Sequence, residues 1–185
     1  MKNFPAVESY SRVDPASQAS AIDFVNRVNW LFETWNVDAM VDSFLPEGVA
    51  YHFQGTINGQ EEMRNFFLND YPYLVPGVSR HATNHIVDSD EDGVVVRYHN
   101  LLIRYAEIEK AQSLGAGKVE SSTGKLPSIW IYSPMLDRLR KVNGQWKIFE
   151  RYIGGSMTNQ NLEPAVHDAI MLAPFMPDIA THTLK

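Results

Sequence analysis

Apolar residues in the first seventy positions recur with the period of an α-helix. Asp14-Pro15 has the form of a helix start, in which a capping carboxylate precedes a proline in the first turn. The apolar positions that follow predict one long helix over residues 15–35: Ile22, Val25, Val28, Leu31, Phe32 and Trp35. Two shorter helices are expected, one over 38–45 that ends at Pro46 and one around Met63, Phe66 and Phe67 that ends before Pro72.

The second half of the chain is rich in β-branched and aromatic residues, which are typical of strands. Asn143-Gly144 joins two of these stretches, and this dipeptide is a strong signal for a two-residue hairpin turn. Residues 111–125 are rich in glycine, serine and charge, so we expect a mobile loop there. The predicted strands of this half cover 80–88, 94–105, 128–142 and 145–154. One further strand, over 49–53, is predicted between the second and third helices.

Three helices followed by an antiparallel meander predict an α+β fold, with the helices on one face of a curved sheet. The length of 185 residues fits a single domain over 1–185. Residues 155–185 form a tail with three prolines and an apolar stretch at 169–177, too apolar for a solvated segment. We expect this tail to cover a pocket or an interface between subunits.

Composition and charge narrow the classes of function. The net charge of −6 gives no basic surface for nucleic acid, and the absence of cysteine excludes disulfides and thiolate chemistry. The start of the chain lacks the apolar run of a signal peptide, and no stretch is long enough to span a bilayer, so a cytoplasmic protein is expected. Gly115-Ala116-Gly117-Lys118 lacks the spacing of a phosphate-binding loop, and the histidines lack a metal-ligand spacing. No metal or other cofactor is therefore expected.

Three segments together resemble a known family. Ser79-Arg80-His81-Ala82-Thr83-Asn84-His85, Asp92-Gly93-Val94-Val95-Val96-Arg97-Tyr98 and Asn143-Gly144-Gln145-Trp146-Lys147-Ile148 are similar to the SnoaL-like branch of the nuclear-transport-factor-2-like superfamily. The likeness covers roughly 17–154, and within the branch the layout resembles scytalone dehydratase. It implies a cone-shaped fold in which a curved, mixed or antiparallel sheet and three amino-terminal helices enclose one pocket.

The resemblance allows two kinds of function. Some relatives use the pocket for cofactor-free acid–base chemistry, such as dehydration, cyclisation, isomerisation or epoxide opening. Others are binding or assembly subunits without chemistry of their own, such as the small subunits of ring-hydroxylating dioxygenases. Because a fold does not determine a function, the choice depends on individual residues.

His81 is the first candidate for catalysis. Alternate residues of a strand share a face, so His81, Thr83 and His85 are expected to point the same way, into the pocket. Imidazole is a common general base because its pKa lies near neutral pH. His81 also matches the catalytic histidine of the resembling family. Both histidines could instead be buried structural residues, and for His85 we favour that interpretation over substrate binding.

Glu33 is the candidate partner of His81. It lies among the aromatic residues at the end of the first helix, where a buried carboxylate needs a partner. The resemblance places it at the position of an aspartate that orients the histidine in scytalone dehydratase, although Glu33 is one methylene longer. Asp23 and Asp38 are rival carboxylates, and a solvated helix charge is the alternative interpretation of Glu33.

The resemblance also assigns a set of substrate-binding positions, at which the oxygen-binding groups of the dehydratase have changed. Phe32 replaces a tyrosine, and Met135 replaces a carboxamide. The positions are Phe32, Tyr51, His52, His85, His99, Ser133 and Met135.

Two hypotheses follow. The first is a cofactor-independent lyase or isomerase that acts on a small, largely apolar polyketide-like, aromatic or terpenoid intermediate, with His81 as acid–base and Glu33 orienting it. The second is a binding or assembly module with structural histidines. In either case a homodimer or homotrimer is expected, because both faces of the strand around Ile129 and Trp130 are apolar.

Overall fold

The computed structural model describes residues 4–113, 119–122 and 124–177. Along the chain, three helices precede most of the strands of the sheet. The tetrapeptide 115–118 and the end of the tail lie outside the described residues. The helices are α1 (Pro15–Glu33), α2 (Val37–Asp42), α3 (Gly59–Asn69) and α4 (Ala169–Leu172), with short 3₁₀ segments at Pro72–Leu74, Ile108–Ser113, Gln160–Leu162 and Ala173–Phe175. The strands are β1 (Phe44–His52), β2 (Gly55–Asn58), β3 (Val78–Asp90), β4 (Gly93–Arg104), β5 (Ser128–Val142), β6 (Gln145–Ile153) and β7 (Met157–Thr158).

The strands form one mixed sheet in the order β2-β1-β6-β5-β4-β3, with β7 paired to β5. Only the β1–β6 pairing is parallel among the described strands, and the others are antiparallel. Register shifts interrupt the pairings of β1 with β6, β3 with β4, β4 with β5, and β5 with β6. Such irregularities bend a sheet, and here they curve it around the helices. The predicted α+β class is confirmed.

The sequence located the long elements well, but it misplaced the end of α2 and the start of β1 and did not predict the short strands β2 and β7. A helix was expected to continue to Pro46, but α2 ends at Asp42 and β1 begins at Phe44. Pro46 lies inside β1, in the stretch between Phe44 and Val49 where the register with β6 shifts. Proline is tolerated at such an interruption because it removes a backbone donor that the strand does not use there.

The core lies between α1 and the inner face of the sheet. Val25, Val28 and Phe32 of α1 are almost completely buried against Val96 and Tyr98 of β4. The helix residues share one face because they are three and four positions apart, and the strand residues share one face because they are two positions apart. The carboxylate of Asp14 accepts a hydrogen bond from the N–H of Ser17 and caps the start of α1, as predicted.

The outer face of the sheet is partly covered by the amino-terminal segment. The Phe4 ring packs edge-on against Tyr152 with centroids 4.9 Å apart, and Arg138 lies 5.1 Å from the centre of the Phe4 ring. Ile129 and Tyr132 of β5 remain exposed. The homodimer or homotrimer stays a prediction. No helix within the described ranges combines the length and the apolar character that crossing a membrane requires.

The tail returns to the sheet. In β7, Met157 pairs with Tyr132 and Thr158 with Ile131. Beyond it, Leu162 is buried against Leu74 and Leu102, and Trp130 donates a hydrogen bond from Nε1 to Glu163 at 3.2 Å.

A buried ion pair crosses the inner face between β5 and β6. The Asp137 carboxylate is fully buried and accepts two hydrogen bonds from Arg151, both 2.7 Å long. The Tyr98 hydroxyl donates a third hydrogen bond to Asp137 at 3.1 Å, and burial raises the pKa of Tyr98, so the phenol stays protonated. Because the two charges are paired and hydrogen-bonded to each other, neither is buried without a partner.

We predict that Asp137→Ala lowers the free energy of unfolding by about 3–5 kcal/mol, because it leaves the buried Arg151 cation without a partner. Urea denaturation of the variant and the wild type measures this difference. Asp137→Leu combined with Arg151→Met removes both charges and should recover part of the loss. A single variant within about 0.5 kcal/mol of the wild type would contradict the structural role of the pair.

Candidate functional site

A cavity opens between α1, α3 and the inner face of the sheet. Its volume is about 70 Å³, several times the roughly 10–15 Å³ that one water molecule needs. Rings form much of the wall: Phe32, Phe44, Phe53, Phe66, Phe67 and Tyr71. The polar side chains that line it are Asn29, His52, Arg80, Asn100, Ser133 and Arg151. A mostly apolar cavity with a few polar groups is the usual form of a small-molecule site.

The orientation of β3 decides which residues reach the cavity. Val78 and Arg80 are buried and Ala82 is partly buried against the core, whereas His81 and Thr83 are exposed on the other face. His81 contacts Ser79, with the serine Oγ 3.0 Å from the imidazole Nε2. The expectation that His81 faces the pocket is therefore wrong. Its neighbour Arg80 occupies the inward position.

A bulge in β3 explains why the predicted alternation fails. The register with β4 shifts between Thr83 and Ile86, and Asn84 has a φ of 57°. Asparagine adopts this left-handed conformation more readily than most residues. Within the bulge, His85 is half-buried and stacks on Tyr98 with ring centroids 5.7 Å apart, but it does not line the cavity. His81 and His85 therefore lie on different faces.

Glu33 lies behind the cavity wall. It is 9% exposed, and its Oε1 accepts a hydrogen bond from the backbone N–H of Arg80 at 2.6 Å. Burial raises the pKa of Glu33, and the Arg80 N–H together with the charges of Arg80 and His81 acts in the opposite direction. Because this N–H lies on the free edge of β3, Glu33 fixes the end of α1 to that edge. The structure does not unite Glu33 and His81 in the cavity.

Arg80 brings a positive charge to the cavity, and the carboxylate that interacts with this charge is Glu33, which binds the Arg80 backbone N–H and not the guanidinium. Its side chain is 8% exposed and donates from Nη2 to the Leu74 carbonyl oxygen at 3.3 Å. The guanidinium carbon lies 5.3 Å from the centre of the Phe32 ring and 5.0 Å from that of Tyr71. Within the described residues, none of the salt bridges involves Arg80. Aromatic faces stabilise the cation but do not neutralise it.

His52 is the one imidazole that lines the cavity in the described ranges. Burial lowers the pKa of His52 from 6.5 to about 4, so the ring is neutral near pH 7. The backbone N–H of Gln54 donates to His52 Nδ1 at 3.3 Å. Since Nδ1 accepts, the proton of the neutral ring lies on Nε2. His52 is therefore a neutral hydrogen-bond donor in the ground state.

Asn100 and Ser133 face each other across β4 and β5 on the inner face. The Ser133 hydroxyl lies 2.7 Å from the hydroxyl oxygen of Ser156. Asn100 is 6% exposed, and its Oδ1 has no hydrogen-bond partner within the part of the chain that the structure describes. The resemblance implied that the carboxamide of the dehydratase was lost at Met135. Met135 does line the cavity, and Asn100 supplies a carboxamide from the adjacent strand.

The remaining predicted residues fall into two groups. Phe32, His52, Ser133 and Met135 line the cavity. Tyr51 and His99 do not: Tyr51 stacks on Tyr152 at 4.4 Å, and His99 packs near Tyr132 at 5.4 Å. The rival carboxylates are engaged at the surface, since Asp23 pairs with Arg27 at 2.6 Å and Asp38 with Arg64 at 2.8 Å.

Comparison with known proteins identifies the class. Solved structures with the same cone-shaped fold include a scytalone dehydratase-like protein from Novosphingobium aromaticivorans (17% identity, 78% of this chain and 89% of that chain, TM-score 0.57). They also include a nuclear-transport-factor-2-like protein with a cystatin-like fold from the same genus and species (13% identity, 75% and 80%, TM-score 0.58). A protein of unknown function from Nostoc punctiforme has the same fold (18% identity, 76% and 92%, TM-score 0.59). The fold is thus nuclear-transport-factor-2-like.

Within that class, the SnoaL-like domain model matches residues 16–152. The chain belongs to the SnoaL-like domain family. No curated protein matches the sequence.

Sequence reasoning missed two buried polar residues of the cavity wall, Arg80 and Asn100. A signal for both was present. Arg80 lies between Val78 and Ala82 on the apolar face of its strand, and Asn100 lies at the same phase as Val94, Val96, Tyr98 and Leu102. A polar residue on the apolar face of a strand is a better marker of this cavity than a histidine beside it.

We predict that the low pKa of His52 makes the protein less stable in acid. The unfolded chain binds a proton at this ring near pH 6.5 and the folded protein only near pH 4, so the unfolding free energy should rise with pH between these values. In His52→Phe this contribution is absent, and the pH dependence should be flatter. Urea denaturation at intervals from pH 4 to 7 measures it. Parallel curves for the two proteins would show that burial does not lower the His52 pKa.

Proposed function

We propose that the protein is a cofactor-independent lyase or isomerase that acts on a small, largely apolar carbonyl compound. The observation that carries the proposal is that one apolar cavity is lined both by an arginine that forms no salt bridge within the described residues and by a neutral histidine that donates from Nε2. Both groups can stabilise an oxygen atom that becomes negatively charged during a reaction. A polyketide-like, aromatic or terpenoid compound matches the apolar and ring-lined wall.

The proposed step is redox-neutral. A proton leaves the carbon next to the carbonyl, and its electron pair moves onto the carbonyl oxygen to form an enolate. The proton then returns at another carbon, which isomerises the double bond, or a β-hydroxyl group leaves as water, which completes a dehydration. A water molecule in the cavity would carry the proton, because none of the described residues that line the wall is a carboxylate.

Arg80 and His52 divide the stabilisation of the enolate oxygen. The guanidinium supplies a full charge inside an apolar wall, where its interaction with an oxyanion is stronger than in water. His52 stays neutral over most of the pH range and polarises the carbonyl through Nε2–H, without the cost of placing a second cation in the cavity. Glu33 positions Arg80 through its backbone N–H.

A binding module without chemistry is the second candidate. It is favoured by the location of Glu33 and His81 outside the cavity, which leaves the acid–base pair of the resembling dehydratase unassembled. The two candidates differ in one observable property. An enzyme of the proposed kind exchanges the hydrogen atoms next to a bound carbonyl with solvent, and a binding module does not.

We predict that Arg80→Met lowers enolisation by about 10²-fold, the usual effect of removing one oxyanion donor. The rate is measured by NMR as deuterium uptake from D₂O next to the carbonyl of a panel of small aromatic ketones and β-hydroxy ketones. His81→Ala is the matched control, because His81 is adjacent in sequence but exposed on the opposite face. Its rate should stay within a factor of about two of the wild type.

Two results would contradict the enzymatic proposal. If no ketone exchanges faster with the wild type than with Arg80→Met, the binding module replaces the enzyme. If His81→Ala loses activity as strongly as Arg80→Met does, the acid–base role of His81 expected from the sequence is restored. Circular dichroism of each variant shows whether a loss reflects unfolding.

A further inference from the structure

We infer that the ligand of this cavity carries an ionised oxygen group and, on the same small ring system, a separate hydroxyl group. Arg80 binds the ionised group, and Asn100 binds the hydroxyl. A hydroxyarene carboxylate or an enolised dicarbonyl compound has this combination. The inference concerns the same cavity as the proposed function and specifies its substrate class.

The first argument is the charge state of Arg80 compared with other buried arginines. Arg151 is neutralised by Asp137, and Arg138 pairs with Asp90 and Glu150 at 3.3 Å each. Arg104 has two buried nitrogens without a hydrogen-bond partner among the described residues, but it stacks on Trp130 and does not line the cavity. Arg80 alone among these four lines the cavity without forming a salt bridge there, since its charge interacts with Glu33 but Glu33 binds only its backbone N–H. A buried guanidinium without a direct carboxylate contact is less well stabilised than one in a salt bridge, and an anionic ligand would supply that contact.

Asn100 supplies the second, independent argument. Its side chain is more than nine-tenths buried and lines the cavity, and none of the described residues forms a hydrogen bond with Oδ1. Asn29, the other asparagine on the wall, instead donates from Nδ2 to the Val25 carbonyl at 3.0 Å. An unsatisfied amide in an apolar wall costs stability, so a ligand hydroxyl that donates to Oδ1 is favoured over a purely apolar group.

The sheet sets the separation of the two side chains at the point where they leave the backbone. Arg80 pairs with Leu102, and Ala82 pairs with Asn100, so Arg80 and Asn100 are diagonal neighbours on the inner face of β3 and β4. Side chains in this relation start about 7–8 Å apart. A single benzene-sized ring with an ionised group and a hydroxyl in the meta position can span the gap. The rings of Phe32 and Phe66, which also line the cavity, provide apolar contacts for its faces.

Calorimetric binding of three matched probes tests the inference: 3-hydroxybenzoate, benzoate and 3-hydroxybenzamide. The first has both groups, the second lacks the hydroxyl, and the third lacks the charge. We expect the wild type to bind 3-hydroxybenzoate at least about tenfold more tightly than 3-hydroxybenzamide, and about fivefold more tightly than benzoate.

Two substitutions should separate the contributions. Arg80→Met should abolish the preference for 3-hydroxybenzoate over 3-hydroxybenzamide, and Arg80→Lys, which keeps the charge, should retain part of it. Asn100→Leu should abolish the preference for 3-hydroxybenzoate over benzoate and leave the preference for charge intact. His81→Ala should bind all three probes as the wild type does.

Several outcomes would overturn the inference. They are a wild type that binds no probe at millimolar concentration, a wild type that does not distinguish the acid from the amide, and an Arg80→Met variant that keeps the distinction. If Arg80→Met fails to fold, Arg80→Lys and the wild-type probe series decide the question. Probe binding with the expected preferences but without deuterium exchange would support this inference and contradict the enzymatic proposal. Deuterium exchange into neutral ketones, without a binding preference for the anionic probes, would support the enzymatic proposal and contradict this inference.

Discussion

The pairing of β3 with β4 is the constraint on which the rest of the site depends. It places Arg80 opposite Leu102 on the inner face and turns His81 to the outer face. A shift by one residue would exchange these two side chains, because successive residues of a strand point to opposite faces. The register is held from both sides: by the ladder with β4, and by the Glu33 carboxylate, which binds the Arg80 N–H at the free edge. A helix carboxylate thus sets the chemistry of a cavity that it does not line.

The buried polar groups of the inner face divide into two kinds. Asp137, Arg151 and Tyr98 satisfy one another and hold the sheet strands together. Asn100 has an amide oxygen without a hydrogen-bond partner among the described residues, the Arg80 guanidinium forms no salt bridge with them, and both residues line the cavity. Groups of the second kind cost stability in the free protein and are characteristic of functional sites. The difference in hydrogen bonding within one sheet face therefore separates residues that stabilise the fold from residues that are available to bind a ligand.

The sequence predicted most of the fold because the signals were local. The hairpin at Asn143-Gly144 and the cap at Asp14 each depend on a few adjacent residues, and both are present. The site was harder to predict because it depends on the phase of β3. The bulge at Asn84 places His81 and His85 on different faces of the strand. The sequence alone did not predict this bulge, which becomes visible only in the pairing of β3 with β4. His52, Ser133 and Met135 line the cavity because their side chains point to the inner face of the sheet, as the resemblance implied.

A crystal structure of the complex with 3-hydroxybenzoate tests the central claim most directly. The predicted result is a carboxylate oxygen within hydrogen-bond distance of the Arg80 guanidinium, with the hydroxyl near Asn100 and the His81 ring outside the cavity. A structure in which the His81 imidazole enters the cavity and bonds to Glu33, with Arg80 on the outer face, would contradict the account.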